Sequence, residues 1–203
     1  MLDLIKKQEY KNRLYKAFPH KLKNDVTVVL SILPLDDKTK LADGSDCWVD
    51  DLIRQSNPSM TILLDGEVLV IPYRIYFNEP DTAKEAKLTD RQKIILHCIY
   101  LRHHNGYVRQ NRLERLIESD ELWIIPFTFQ LLGEYIYEIL EVLDKHINDK
   151  TIDMYRQFVS ENEKYSQLTR ERVISYWDVY YRGRSPILAN YLGQHLIDRI
   201  LAK

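Results

Sequence analysis

From Leu88 onward, the sequence consists of amphipathic segments joined by short connections. Thr89 is followed three residues later by Gln92, a capping-box pattern that precedes the apolar run 94–101. Helices are predicted over about 89–102, 108–117, 123–147, 151–163, 169–181 and 185–201, the last opened by Ser185-Pro186. Short connections favour antiparallel neighbours, so the pattern predicts a mainly α fold over about 88–201. Its form is a multi-helix antiparallel bundle or a short helical-repeat-like array.

The N-terminal residues 1–84 combine helix and strand patterns. Asp65-Gly66 separates two β-patterned runs, 61–64 and 67–70, which is the signature of a two-residue type I′ hairpin. The same part carries an amphipathic helical pattern over 2–18, a run over 26–33 that we interpret as a strand rather than a buried helix, a loop over 36–46 and a short helix over 48–54. We therefore predict a small α+β part over 1–84 and a helical domain over 85–203, as two units or as one continuous domain.

Composition and charge exclude several classes of protein. Hydrophobic residues make up 45% of the chain and the net charge is -1, which argues against disorder and against a dominating basic face. Nucleic acid is therefore an unlikely partner. Cys47 and Cys98 supply neither a disulfide framework nor a zinc site. Because the N-terminus lacks the apolar region of a signal peptide and no apolar run is long enough to span a bilayer, we expect a cytoplasmic protein without membrane contact.

The connection 102–112 between two predicted helices is the first place to look for function. It holds the adjacent histidines His103 and His104, the turn signal Asn105-Gly106 and an aromatic residue, Tyr107. Three arginines accompany them: Arg102, Arg109 and Arg112. Surface connections carry function more often than buried cores do, so this segment is a candidate site.

Histidine and glutamate residues supply the candidates for catalysis. Glu134 and Glu138 are four residues apart, on one face of a predicted central helix. His103 or His104 would act with one of these glutamates across facing helices. These four residues would serve a metal-assisted or acid–base hydrolase. Their spacings match neither a zincin motif nor a di-metal bundle, so we expect no metal and no cofactor. Arg109 and Arg112 are the alternative partners for these carboxylates, within an internal ion-pair network.

A second region combines arginine with aromatic residues near the C-terminus. It contains Tyr176, Trp177, Tyr180 and Arg182, in a chain with fourteen tyrosines and only five phenylalanines. Tyrosine, tryptophan and arginine are the residues enriched at protein-binding hot spots, and they also stack bases of single-stranded nucleic acid.

The favoured hypothesis is a non-enzymatic intracellular module that binds another protein, such as a toxin-immunity protein or a small adaptor. Its expected contact residues are Arg102, Tyr107, Arg109, Arg112, Tyr176, Trp177, Tyr180 and Arg182. The hydrolase is the alternative, and nucleic-acid binding the second alternative. Contact of Arg109 and Arg112 with Glu134 and Glu138 in a closed core would indicate a scaffold, whereas an open cleft would indicate a site.

Overall fold

The structure, a computed structural model, describes residues 2–35, 38–40, 46–48 and 59–202. Helix predominates in these ranges, so the predicted mainly α fold is confirmed. The helices are α1 (Leu2–Tyr15), α2 (Lys23–Ser31), α3 (Thr82–Glu85), α4 (Asp90–Tyr100), α5 (Gly106–Glu114), α6 (Ile125–Phe129), α7 (Tyr137–His146), α8 (Ile152–Glu161), α9 (Glu163–Tyr176) and α10 (Leu192–Leu201). The strands are β1 (Lys38–Lys40), β2 (Asp46–Trp48), β3 (Ser59–Leu64) and β4 (Glu67–Pro72).

The predicted hairpin is present as β3 and β4, which pair antiparallel with Leu64 opposite Glu67. Asp65 and Gly66 form the turn, with φ of 50° and 81°. Both angles are positive, as a type I′ turn requires, and aspartate and glycine are residues that tolerate this conformation. The local turn chemistry therefore sets the register of the hairpin.

Two predictions for the N-terminal part are wrong. Within the run 26–33, residues 26–31 belong to helix α2 rather than to a strand. Val26, Val29 and Leu30 lie at helical spacing and are buried where α2 packs against α4. Tertiary burial overrides the β preference of the valines. The predicted loop 36–46 contains β1, which pairs antiparallel with β2. The predicted helix 48–54 lies outside the described residues except for Trp48, which ends β2.

Side-chain caps position the helices on either side of the candidate connection. The Thr89 hydroxyl accepts a hydrogen bond from the Gln92 amide while the Gln92 side chain accepts from the Thr89 amide, so the predicted capping box is confirmed. The Asn105 side chain accepts from the amide of Tyr107 at 2.9 Å and starts α5. The predicted break between these two helices is therefore an N-cap.

The predicted central helix over 123–147 is interrupted. It consists of α6, a 3₁₀ turn over Gln130–Gly133 and α7, with Glu134 in an extended conformation between the last two (φ -107°, ψ 151°). Glu134 and Glu138 therefore do not share a helix face, which corrects the prediction, and Glu138 is exposed in the first turn of α7. Glu134 instead turns inward toward arginines from other segments.

The C-terminal residues depart from the prediction in two places. After α9 the chain continues as a π turn over Trp177–Tyr181, closed by a bond from the Arg182 amide to the Trp177 carbonyl. The last helix, α10, begins at Leu192 rather than near Ser185, following a 3₁₀ turn over Leu188–Asn190. Pro186 therefore does not open a helix.

One hydrophobic core joins the N-terminal part to the helices. Phe18 stacks on Phe127 with ring centroids 5.0 Å apart, and the buried cluster continues from α1 to α10. A helix with the length and apolarity to cross a membrane is not found in the described part of the chain. The segment 73–77 follows β4 and runs beside the candidate connection, where Ile75 pairs with His103.

Candidate functional site

Backbone hydrogen bonds anchor the start of the connection 102–112 to the segment that follows β4. The amide of Ile75 donates to the carbonyl of Arg102 at 2.8 Å, and the amide of His104 donates to the carbonyl of Ile75 at 3.0 Å. This short parallel pairing places Tyr73 and Arg74 next to the arginines of the connection. The sequence pattern does not reveal the pairing, because it joins segments almost thirty residues apart.

The two histidines of the connection have different environments. His103 is buried, its Nε2 donates to the Phe77 carbonyl at 3.1 Å, and its Nδ1 accepts from the Asn105 amide at 3.1 Å. Burial, aided by the adjacent His104, lowers the pKa of His103 to about 4, so the ring is neutral at physiological pH. His104 is half-buried and stacks on Tyr76. Both nitrogens of His103 therefore serve the fold, and neither is positioned as a base.

A guanidinium–carboxylate cluster surrounds Glu134. Arg109 bonds one Glu134 oxygen at 2.9 Å, and Arg74 bonds the other at 2.8 Å. Arg109 also donates to the carbonyls of His103 and His104, so it ties the connection to the extended residue that interrupts the central helix. Arg109 and Glu134 are both buried, and a buried ion pair with these additional bonds is expensive to break.

Arg102 lies beside this cluster and is fully buried. Two of its nitrogens donate to the carbonyl of Leu101 at 3.0 and 2.7 Å, while the third, Nη1, has no hydrogen-bond partner among the described residues. Burial, together with the nearby positive charge of Arg74, lowers the pKa of Arg102 to about 9. The cluster thus brings three arginines to one carboxylate and leaves an excess of positive charge beneath the surface.

Arg112 belongs to a different network. It bonds Glu85 at 2.6 Å and Glu79 at 2.6 Å, and it donates to Nδ1 of His97 at 3.1 Å. The predicted contact of Arg112 with Glu134 or Glu138 is therefore wrong, because α5 directs this side chain toward α3 and α4. Burial, with Arg112 alongside, lowers the pKa of His97 to about 4. The adjoining cavity of about 680 Å³ is lined by groups that already neutralise one another.

The three arginines of the connection are consequently scaffold residues. Arg102, Arg109 and Arg112 are each at least 97% buried, which corrects their assignment to a contact surface, since a partner cannot reach them. Tyr107 is the exception, with 84% of its side chain exposed on α5. Within the described ranges, no three histidine, cysteine, aspartate or glutamate side chains are grouped closely enough to hold a metal ion.

The second predicted region forms a surface of aromatic rings around the π turn. We call it the tyrosine surface, and its members are Tyr135, Tyr137, Tyr176, Tyr180 and Tyr181. Ring centroids of neighbouring members lie 5.4 to 6.0 Å apart, which is the range of favourable aromatic contacts. Tyr135 and Tyr180 are 48% and 54% exposed. Beneath them, the buried ring of Tyr191 stacks on Tyr181 at 5.2 Å.

Hydrogen bonds fix the frame of the tyrosine surface. The Tyr181 hydroxyl donates to the carbonyl of Tyr135, and Nε1 of Trp177 donates to the carbonyl of Ser185 at 2.8 Å. Arg182 lies over the Trp177 ring and pairs with Asp178 at 2.8 Å. The predicted residues thus lie on and around the π turn as two contacting pairs, Tyr176 with Tyr180 and Trp177 with Arg182. Tyr135 and Tyr137 were not predicted, because the broken central helix was expected to bury them.

A groove of about 630 Å³ lies along α9, next to the tyrosine surface. Its walls come from β3, from the segment after β4 and from α9, which contributes Tyr165, Leu168 and Arg172 at helical spacing. The Arg172 guanidinium lies over the Tyr73 ring, 5.5 Å from its centroid. Sequence reasoning missed the groove because it began this helix at residue 169 and so did not register the spacing of Tyr165, Leu168 and Arg172.

Comparison of the chain with protein-family models, with curated proteins and with solved structures found no match in any of the three. Function is therefore inferred from the chemistry of the tyrosine surface and of the groove beside it.

Proposed function

We propose that the protein is a non-enzymatic module that binds another protein through the tyrosine surface, extended by Trp177 and Arg182. The observation that carries the proposal is the exposure of Tyr135 and Tyr180, two large rings 5.4 Å apart on the outside of the molecule. Solvent-exposed aromatic groups in contact with one another are typical of binding surfaces. A toxin-immunity protein or a small adaptor fits this description.

The rigidity of the frame supports the proposal. Rings that already pack against each other lose little side-chain entropy when a partner covers them, so more of the contact energy is available as affinity. The Tyr181 hydroxyl is bonded to a backbone carbonyl, and its ring rests on buried Tyr191. The surface is therefore preorganised on one side and exposed on the other.

The hydrolase alternative receives less support from the same contacts. His103 uses both ring nitrogens within the fold, and both oxygens of Glu134 are bonded to arginines. Glu138, the remaining carboxylate of the hypothesis, lies exposed on α7 and contributes to the charge around Tyr181. His103 or Glu134 would need to leave its present bonds to act as a base.

The test is capture of a partner with wild-type protein and with a Tyr135→Ala/Tyr180→Ala variant. The captured protein is identified by mass spectrometry, and its affinity is then measured with purified components. We expect the double variant to bind at least about tenfold more weakly, the equivalent of losing one aromatic hot spot. Tyr107→Ala is the matched control, since Tyr107 is more exposed than either ring and has no ring contact with the tyrosine surface. Equal binding by all three proteins would contradict the proposal.

A further inference from the structure

We infer that the groove between β3 and α9 binds an extended, acidic segment of the partner, which adds as a strand to the open edge of β3. The inference rests on the proposed function, because it describes how part of a protein partner would engage the surface beside the tyrosine surface. Addition of a strand to a sheet edge is a recurring mode of peptide recognition, in which main-chain hydrogen bonds supply affinity and side-chain pockets supply specificity.

The register of the hairpin decides which backbone groups of β3 are open. In a two-residue hairpin, Leu64 and Glu67 flank the turn and exchange hydrogen bonds, so Leu63 and Thr61 direct their N–H and C=O groups away from β4. On the opposite edge, the outward amide of Val70 is occupied, since it donates to the carbonyl of Lys16 at 2.8 Å. The first helix packs against that edge of β4, so Thr61 on β3 is an outward residue that faces a groove.

The side-chain amide of Asn162 bonds both the N–H and the C=O of one outward residue of β3, as the backbone of a neighbouring strand would. Its Oδ1 accepts from the amide of Leu63 at 2.8 Å, and its Nδ2 donates to the carbonyl of Leu63 at 2.7 Å. The next outward residue, Thr61, lines the groove, and its N–H and C=O have no partner among the described residues. An added strand would therefore pair with Thr61 and Ser59, both of which line the groove, and would end against Asn162.

The walls of the groove suit a peptide with alternating side chains. Tyr73, Tyr165 and Leu168 supply an apolar wall opposite the strand edge. The Gln130 side chain also lines the groove, is only 4% exposed, and has an amide oxygen without a partner in the described part of the chain. A buried amide of this kind is available to a polar group that enters the groove.

Charge around the groove favours an acidic occupant. Arg172 and Lys164 line it, and Arg172 makes no ion pair with any described carboxylate. Two carboxylates, Glu161 and Glu163, also line the groove, so the charges of the lining itself are balanced. Glu161 is held at the end of β3, where it accepts from the Asp65 amide at 2.9 Å, and the excess charge comes from the arginines beneath the groove. Beneath the groove, buried Arg102 acts electrostatically on Tyr165, as Arg172 does from the wall. Because the guanidinium–carboxylate cluster already has more arginines than carboxylates, the field of the floor is positive and complements an acidic segment.

The groove is continuous with the tyrosine surface. Tyr165, Arg172 and Tyr176 follow one another along α9, and Arg172 acts electrostatically on Tyr176 as well as on Tyr165. One partner can therefore cover the aromatic rings and place an extended segment along β3. The two contacts together would give more affinity than either alone, since the second forms within the same complex.

The experiment is selection from a display library of random seven-residue peptides on the full-length protein, followed by affinity measurement with labelled synthetic peptides. We expect the selected peptides to share acidic residues at alternating positions. Thr61→Pro removes the outward N–H without removing a bond to β4, and Arg172→Gln removes the free charge. Each should weaken peptide binding at least about tenfold, while Thr61→Ala, which keeps the N–H, should not.

An N-methylated copy of the peptide tests the strand geometry even if Thr61→Pro fails to fold, because it lacks the main-chain donors on the pairing edge. Strand addition would be overturned if the N-methylated copy bound the wild-type protein as tightly as the unmodified peptide does. It would also be overturned if Thr61→Pro bound the peptide as tightly as the wild type while melting at the same temperature. Either result would indicate a simple carboxylate site. Neutral or basic selected peptides would overturn the acidic segment. If no peptide is selected and the protein instead self-associates in a way that Thr61→Pro abolishes, the proposed acidic segment is wrong and the occupant of the groove is a second copy of the chain.

The partner itself separates this inference from the proposed function. If only the inference fails, Thr61→Pro captures the partner as strongly as the wild type does, whereas Tyr135→Ala/Tyr180→Ala does not. If the proposed function fails, all variants capture the same proteins equally. If both hold, the two sets of substitutions each weaken capture.

Discussion

The connection 102–112 and the segment 176–184 look alike in sequence, since each mixes arginines with aromatic residues between apolar helical patterns. In the structure, the two segments differ in the burial of their arginines. In the first, Arg109 is buried against Glu134 and Arg112 against Glu79 and Glu85. In the second, Arg182 pairs with a neighbour on its own turn at the surface. The difference teaches that the position of the carboxylate partner, near or remote in sequence, decides whether such a segment becomes scaffold or surface.

The most direct test of this difference is to remove one carboxylate from each region and to compare the losses of stability. Glu134→Ala leaves Arg109 buried without its counter-ion, so we expect the free energy of unfolding to fall by about 3–5 kcal/mol. Asp178→Ala is the matched control, because Arg182 and Asp178 are 65% and 52% exposed and their pair is worth less than about 1 kcal/mol. Denaturant unfolding measures both. Losses of similar size would mean that burial does not distinguish the two regions.

Acid should lower the free energy of unfolding through three buried histidines. Histidine titrates near 6.5 in an unfolded chain, whereas burial lowers the pKa of His97, His103 and His146 to about 4 in the fold. Between these values the unfolded chain binds more protons. Stability is therefore complete above about pH 6.5 and is lost as the pH falls toward 4, by at most about 1.4 kcal/mol per histidine for each pH unit.

Unfolding measured at several pH values between 5 and 6.5 tests this dependence, with His103→Gln as the variant. That range lies above the titration of Glu85. Burial alone would raise the pKa of Glu85, but pairing with Arg112 holds this pKa below its ordinary value. The variant should show a shallower slope than the wild type. An unchanged slope would mean that His103 does not remain neutral in the fold.

The tyrosine surface can also be tested by changing the buried residues on which its rings pack. A Cβ at Gly193 would lie 2.7 Å from Cε1 of Tyr191, so Gly193→Ala should displace this ring and cost about 1–3 kcal/mol. Gly183→Ala is the control, because a Cβ there would meet no atom within 4 Å. Thermal melting compares the two. A neutral Gly193→Ala would show that the rings are not held by the packing of Tyr191.

The smallest effect is expected for the exposed rings themselves. Tyr180→Ala should change the free energy of unfolding by less than about 0.5 kcal/mol, since the ring is half exposed. The same substitution at buried Tyr155, whose hydroxyl bonds Thr128 at 2.7 Å, should cost about 3–5 kcal/mol. A large loss for Tyr180→Ala, seen by denaturant unfolding, would give this tyrosine a structural role.

Local signals predicted the parts of the fold that local chemistry determines. Asp65-Gly66 specifies its own turn, and Thr89 with Gln92 specifies its own cap, so both are read correctly from a few residues. The strand predicted over 26–33 fails because helical and β patterns overlap in short apolar runs, and contact with α4 decides between them.

The candidate site was predictable only in part. The aromatic and arginine residues around the π turn were identified from composition, because tyrosine and tryptophan in number indicate partly exposed packing. The burial of Arg109 was not predictable, since it depends on a helix interruption at Glu134 and on a pairing with Ile75. The groove lies between β3 and α9, which are about a hundred residues apart in sequence. A local sequence pattern does not predict a contact between such distant elements.

The π turn over 177–181 has a further consequence for how the sequence can change. A π turn holds one residue more than an α-helical turn, so it rotates everything after it by about 100° relative to an uninterrupted helix. Tyr180 and Tyr181, adjacent in sequence, thereby reach Tyr135 and Tyr137 respectively. Deletion of a single residue here would restore the helical phase and separate these pairs, whereas substitutions would leave the phase intact.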